Sequence, residues 1–228
     1  MKLAVFGATG GTGRRLITQA LAADYDVQAL TRSQAKLPPG EQITAIEGNV
    51  LDPKAVSETV EHTDAVVCLL GRTPNNPLNV VSRGTQNIIA AMDDRPVSRL
   101  LVLTSMGLGS SSETVPWYVR IANATILHDL MADKARPEEL VMQSDLDWTI
   151  IRPGGLTDAP RTGEYVHGID IDVHARPISR SDIADFLLQI VKEDLYVREI
   201  PIVTSQEKAD LGFYLDQFTT IAKRLGTN

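Results

Sequence analysis

Apolar residues gather into short runs, separated by stretches in which they recur every three or four positions. The runs are Leu3 to Phe6, Val27 to Leu30, Ile43 to Ile46, Ala65 to Leu70, Leu100 to Leu103 and Trp148 to Ile151. Their near-continuous hydrophobicity, without strict alternation, predicts strands of a parallel sheet covered on both faces. Leu16, Ile17, Ala20 and Leu21 share one helical face, as do Val80, Val81, Gly84, Ile88, Ile89 and Met92. Strand and helix alternate, which predicts βαβ units, right-handed crossovers and an α/β doubly wound sheet. In such a sheet the ligand crevice lies beyond the carboxyl ends of the strands, so the residues just after each run are the ones to inspect.

Further along, Pro116 suits a helix start, and a largely helical pattern runs from about Trp117 to Ser144. Pro137 interrupts it and predicts a kink or a break between two helices, because proline lacks an amide donor and clashes with the preceding turn. After Pro153-Gly154-Gly155 the pattern loosens into short pieces. An amphipathic helix near Ser181 to Val191, a strand near Ile200 to Val203 and a closing helix follow. The closing helix carries Leu211, Tyr214, Leu215, Phe218, Ile221 and Leu225, a stripe that reads as core packing. The expected organisation is one domain over 1–228, with a core over 1–152 and, over 153–228, a small C-terminal substrate lobe and closing helix.

Gly7-Ala8-Thr9-Gly10-Gly11-Thr12-Gly13 follows the first strand directly and opens the first helix. That context raises a glycine pattern to a Rossmann-type dinucleotide-binding turn. One glycine permits the tight turn, another lets backbone approach a pyrophosphate, and the last allows close packing of helix on strand. Free amides at the helix start and the positive end of its dipole attract the anion, and Thr9 and Thr12 add hydroxyl donors.

A site selective for NAD places a carboxylate near the end of the second strand, roughly 20 residues beyond the glycines, to accept from the ribose 2′-hydroxyl. Here that stretch is Leu30-Thr31-Arg32-Ser33, without an acid. Arg32, with Ser33 and Arg14, offers a guanidinium fork and a hydroxyl for a 2′-phosphate, so the expected cofactor is NADP(H). Further contacts are expected at Gly48-Asn49-Val50, beside the adenine, and at Leu70-Gly71-Arg72, beneath the middle of the cofactor.

Composition narrows the partners. A formal charge of −7 over 228 residues leaves no global basic field, so neither nucleic acid nor an anionic membrane surface is expected as a partner. No apolar run approaches the roughly 20 residues that span a bilayer, and because the opening residues run straight into a predicted strand no export signal is expected. The lone Cys68, set among Val66, Val67, Leu69 and Leu70, reads as an inert buried thiol in a reducing compartment, and a cytoplasmic location is expected. His62, His167 and His174 show no ligand spacing, so no metal is expected. Oligomeric state is left open, with a monomer favoured.

With these pieces placed, the sequence resembles the atypical short-chain dehydrogenase/reductase group, in the NAD(P)H-binding branch that includes NADPH-dependent flavin reductase (biliverdin-IXβ reductase). The resemblance covers nearly the whole chain. It rests on Phe6 to Gly13, Leu30-Thr31-Arg32, Asp64 to Gly71, Leu103-Thr104-Ser105, Ile151-Arg152-Pro153-Gly154-Gly155-Leu156, and Ile178 to Ala184. It implies that Thr104, Pro153, Gly154 and Gly155 adjoin the nicotinamide and that Ser105 is the active-site serine, placed to donate to an acceptor or to order a water. Lys134 occupies the place where the family's helix often carries a lysine. Flavin reductase has a histidine after the loop proline; Gly154 stands there in this chain, which implies a roomier pocket. Arg161-Thr162-Gly163 and Tyr165 fall in the substrate-lobe region.

Ordinary short-chain dehydrogenases place a tyrosine four residues before a lysine, so that one helix face presents a phenol acid beside an ammonium. Tyr25, Tyr118, Tyr165, Tyr196 and Tyr214 are followed, four positions on, by Ala29, Ala122, Ile169, Ile200 and Phe218, and Lys134 is preceded by Leu130. His128, six residues before Lys134, is an alternative proton source or a packing histidine. Without the tyrosine acid, the expected chemistry is hydride transfer to a planar conjugated acceptor such as a flavin, quinone or linear tetrapyrrole. Such an acceptor delocalises charge and draws its proton from solvent. The alternative is a non-catalytic NADP(H)-binding redox sensor or assembly factor. A sugar-nucleotide epimerase or dehydratase fits poorly, since it needs the same missing pair.

Overall fold

Residues 1–71, 76–77, 79–106, 136–171, 173 and 176–206 are described by a computed structural model. Strand β1 (Lys2–Phe6) leads through helix α1 (Gly11–Ala22) to β2 (Asp26–Thr31), and β3 (Ile43–Glu47) leads through α2 (Pro53–Val60) to β4 (Ala65–Cys68). Helix α3 (Val80–Asp93) precedes β5 (Arg99–Leu103), and β6 (Asp147–Pro153) closes the series of strands formed by the six apolar runs. Then come β7 (Leu156–Thr157), β8 (Tyr165–Gly168), β9 (Ile178–Ser179), α4 (Arg180–Glu193) and β10 (Ile202–Ser205).

The main sheet runs β3-β2-β1-β4-β5-β6-β10-β8. Every pairing in it is parallel except that of β10 with β8. The order reverses between β1 and β4, where the chain crosses from one half of the sheet to the other; this is the switch point at which doubly wound sheets bind ligands.

The apolar runs have a simple cause: alternate residues of each strand serve two different cores. Ala4, Phe6, Val66, Cys68, Leu100 and Val102 face α2 and α3, where they meet Val56, Val60, Ile88 and Met92. Leu3, Val5, Ala65, Val67 and Leu101 face α1 and α4, where they meet Leu16, Ile17, Ile183, Phe186 and Ile190. With both faces covered, central-strand positions are mostly apolar, and the buried polar side chains of β6, Thr149 and Arg152, are hydrogen-bonded.

Helix α2 has no counterpart in the sequence-based expectation. Its start is nonetheless encoded locally: Asp52 caps it by accepting from the Lys54 amide at 3.0 Å, and Pro53 occupies the first helical position. Residues 136–142 are helical and include Pro137, but the residues that would show a break before it, like the expected closing helix, lie outside the described residues. The chain after Pro153 supplies both α4, which packs on α1, and β10, which extends the main sheet.

Candidate nucleotide site

All the loops named from the sequence emerge at one edge of the sheet, because the strands that precede them are parallel and in register. Phe6 pairs with Cys68, Cys68 with Val102, and Leu103 with Ile151, so the segments that follow these residues lie side by side. Gly7 to Gly10, Leu69 to Gly71, Thr104-Ser105 and Gly154-Gly155 therefore share the carboxyl edge, with Arg32-Ser33 and Gly48-Asn49-Val50 beyond β2 and β3.

The glycine turn is built by close approach. Gly7 has a φ of 81°, and a Cβ on it would lie 2.4 Å from the carbonyl oxygen of Leu69. Turn and β4 loop are thus pressed together where only glycine fits. A Cβ on Gly13 would lie 2.3 Å from the Gly7 carbonyl oxygen, so the first turn of α1 rests directly on the strand end. The Gly10 amide donates to Gly7 at 3.0 Å, and the first bond into the helix runs from the Arg14 amide to the Gly10 carbonyl. Gly10, as the cap residue, has no side chain to offer, and the first turn carries no acidic residue. Among the described residues nothing accepts from the amides of Gly11, Thr12 and Gly13. A helix start left this way is open to an anion, and a dinucleotide's diphosphate fits it in charge and in donor direction. Thr9 is partly exposed at the turn, whereas Thr12 is buried.

Arg32 is exposed at the end of β2, and its guanidinium donates to the Asn76 side-chain oxygen at 2.9 Å, reaching the segment that follows β4. β2 and β4 flank β1, so this bond crosses above the strand that carries the glycine turn. Ser33 is fixed through its amide, which donates to Thr31 Oγ1 at 3.0 Å. Asn49 uses its side-chain oxygen locally, accepting from the Leu51 amide at 3.1 Å, and the Val50 carbonyl accepts from Asn87 Nδ2. Leu70 is partly buried, packed toward Gly84 of α3, and Gly71 is open. Arg72, Lys134 and His128 lie outside the described residues.

Thr104 donates its amide to the Ile151 carbonyl at 2.9 Å, and the Met106 amide donates to Pro153, so Ser105 is held between β5 and the end of β6. The loop after β6 is anchored from below by a buried ion pair. Arg152 meets Glu138 through Nε at 3.2 Å and through a terminal nitrogen at 2.6 Å, both side chains being 5% exposed.

One expectation needs correction. Gly154 does not leave a roomier pocket along its side-chain direction, because a Cβ there would lie 2.1 Å from the carbonyl oxygen of Arg176 and 3.1 Å from Thr204 Oγ1. Buried Thr204 accepts from the Arg176 amide at 2.8 Å and holds that backbone in place. The glycine admits a neighbouring chain segment, and the volume that a larger residue would take is already filled.

The residues flagged in the substrate-lobe region have structural partners. Asp182, buried at the start of α4, accepts from the amides of Thr162 and Gly163 at 2.8 Å each and from the hydroxyls of Thr162 and Ser179. Burial pushes its carboxyl upward, and these donors more than offset that, holding it below the usual carboxylate range. Tyr165 donates to Asp185 at 3.0 Å, and Arg161 pairs with the same carboxylate at 2.7 Å. Cys68 is buried as expected, and desolvation pushes its thiol up to about 11. Among the described residues no cluster of three or more His, Cys, Asp or Glu side chains is arranged to hold a metal, and no helix is long and apolar enough to cross a membrane.

Two features escaped the sequence reading. His167 Nδ1 lies 2.6 Å from the Tyr196 hydroxyl, and its ring packs 4.6 Å from that of Phe186. Arg15, Asp158 and Arg180 meet beside the glycine turn. The first had no signal in spacing, since the fold alone assembles it. The second was marked by the Ile178 to Ala184 segment, which the resemblance had singled out.

Fold and turn together define a Rossmann-type dinucleotide-binding protein. The chain belongs to the NAD(P)H-binding family, whose model matches residues 7–194. Among curated relatives it is 27% identical to oxidoreductase stcQ of Emericella nidulans, over 90% of this chain and 84% of that protein. It is 26% identical to the photosystem II assembly factor Ycf39 of Synechocystis, over 90% of this chain and 63% of that protein. Among solved structures it is similar to ChuY, an anaerobilin reductase from Escherichia coli O157:H7, with a TM-score of 0.79, 21% identity and coverage of 92% of this chain and 100% of that one. A short-chain dehydrogenase/reductase from Veillonella parvula in complex with NADP matches with a TM-score of 0.76, 18% identity and coverage of 90% and 94%.

Proposed function

We propose that this protein is an NADPH-dependent reductase that passes hydride to a planar conjugated acceptor such as a flavin, a quinone or a linear tetrapyrrole. The observation that carries the reading is a built diphosphate cradle in a chain with no tyrosine four residues before a lysine. Such a site suits an acceptor that needs orientation more than it needs a protein acid. NADPH, when bound, supplies the hydride. The amides of Gly11, Thr12 and Gly13 would take the diphosphate, Arg32 with Ser33 the 2′-phosphate, and Asn49, Val50, Leu70, Gly71 and Arg72 the adenosine side and the middle of the cofactor. Thr104, Pro153, Gly154 and Gly155 would border the nicotinamide. Ser105, together with Lys134 as the resemblance implies, would hold the proton that follows the hydride or a water that delivers it. The likeness to an anaerobilin reductase supports an extended tetrapyrrole within this class, and the lone buried thiol supports a cytoplasmic setting.

The test is to mix purified protein with NADPH and FMN, a quinone or biliverdin and follow the nicotinamide absorbance. Acceptor-dependent loss is expected. Binding of NADPH without consumption on any of the three would sink the reductase reading and favour an NADP(H)-binding assembly or sensing role, as the likeness to an assembly factor allows.

A further inference from the structure

The amino end of α1 is crossed by a side chain from the other end of the chain. A Cβ on Gly11 would lie 2.8 Å from Arg180 Cδ and 3.0 Å from its Nε, so the stem of Arg180 lies against the first residue of the helix. The Arg180 guanidinium reaches Asp158 Oδ1 at 3.0 Å, and that same oxygen is 3.2 Å from a terminal nitrogen of Arg15. Arg15 is tied at both ends of its fork: one nitrogen donates to the Gly11 carbonyl at 2.9 Å, and Nε donates to Ser181 Oγ at 3.2 Å. Gln19 adds a bond to the Ser181 carbonyl at 2.9 Å. The three members differ in exposure: the Arg180 and Arg15 side chains are 14% and 30% exposed, whereas Asp158 is 74% exposed.

Two guanidinium groups meet the Asp158 carboxylate here, beside a helix start whose amides find no acceptor among the described residues. Water screens exposed Asp158 more than the two less exposed guanidinium groups, so the cations act more strongly than the carboxylate on an anion at the turn. We propose that Arg180, together with Arg15, is a nucleotide-positioning residue that strengthens the hold of the glycine turn on a diphosphate, and that Asp158 limits this strength. Asp158 sits directly after β7, so the same carboxylate ties the β7–β9 segment to the nucleotide turn. A side chain at position 11 would shift Arg180 from its place against the turn.

The inference rests on the diphosphate reading of the turn, and the charges give it a signature that a mere latch lacks. Breaking a latch from either side acts in one direction, whereas removing a cation and removing an anion act in opposite directions on an anionic ligand. Calorimetric titration of NADPH into wild type, R180Q and D158N at about 50 mM and about 500 mM salt reads this out. R180Q is expected to weaken binding about tenfold and D158N to tighten it about threefold, with both shifts shrinking at the higher salt. R180K should retain most of the wild-type affinity. Weakening by both R180Q and D158N, or no change in either, would overturn the proposal. Should R180Q fail to fold, the exposed D158N decides alone: tightening supports it, and weakening or no change overturns it. Absence of NADPH binding by wild type would instead sink the diphosphate reading itself, which keeps the two failures apart.

Discussion

At the scale of single residues, the proposed preference for NADPH is assigned to Arg32. Its guanidinium is exposed and already oriented by Asn76, so meeting a 2′-phosphate costs little reorganisation. Arg32→Ala should weaken NADPH by about tenfold or more, the worth of a charge-assisted pair, and leave NADH nearly unchanged. Equal losses for the two cofactors in a binding titration would refute the role. Gly154 makes a different prediction. Gly154→His, which restores the residue of flavin reductase, must push aside the Arg176 backbone that Thr204 fastens, and should cost about 2 kcal/mol in denaturant unfolding. A stable variant with unchanged midpoint would mean that the 176 segment yields easily. The glycine turn and the place of Arg32 at the end of β2 were legible because both are local, a strand end and the residues that follow it. The filled space at Gly154 was not, since Arg176 and Thr204 come from distant stretches that a linear reading does not bring together.

Among the secondary-structure elements, the legible ones are those whose two faces are buried. The six apolar runs all formed strands within a residue or two of their expected bounds, because alternate positions serving two cores leave a continuous apolar signal. Helix α2 was overlooked because its apolar residues, Val56 and Val60, are few and its start is announced by Asp52-Pro53 alone. The pairing of β10 with β6 and β8 was hidden for another reason: strand partners far apart in sequence are chosen by packing. Elements also depend on single buried bonds. The Arg152–Glu138 pair joins the end of β6 to the helical residues 136–142, just below the Pro153-Gly154-Gly155 loop. Glu138→Ala would leave a guanidinium buried beside a cavity, and about 3 kcal/mol of stability should be lost. The companion change Arg152→Met in the same chain should recover part of it. An urea midpoint for Glu138→Ala within error of wild type would show that the pair does not brace the loop.

For the whole molecule, response to acid follows from how the sheet's last strands are closed. β8 joins antiparallel at the edge, and its His167 sits against Phe186 of α4 and accepts from or donates to Tyr196 beyond that helix. Burial holds the His167 imidazole below its ordinary range, so the folded state keeps it neutral where the unfolded chain would protonate. The unfolded state therefore binds more protons as pH falls below about 6.5, and the stability this ring contributes, present above that pH, is lost as pH drops through its folded value. Asp182 acts in the same direction in a lower window, because its carboxylate is held below the usual range and is protonated only further into acid. Two steps are expected, His167 first and then the Asp182 clamp on Thr162 and Gly163. Urea midpoints of wild type should fall between pH 7.5 and 5.5, and His167→Gln, though less stable at pH 7.5, should show a flatter dependence across that interval. The two proteins losing stability in parallel would mean that other groups carry the acid response and that the aromatic cluster closes the sheet without sensing protons.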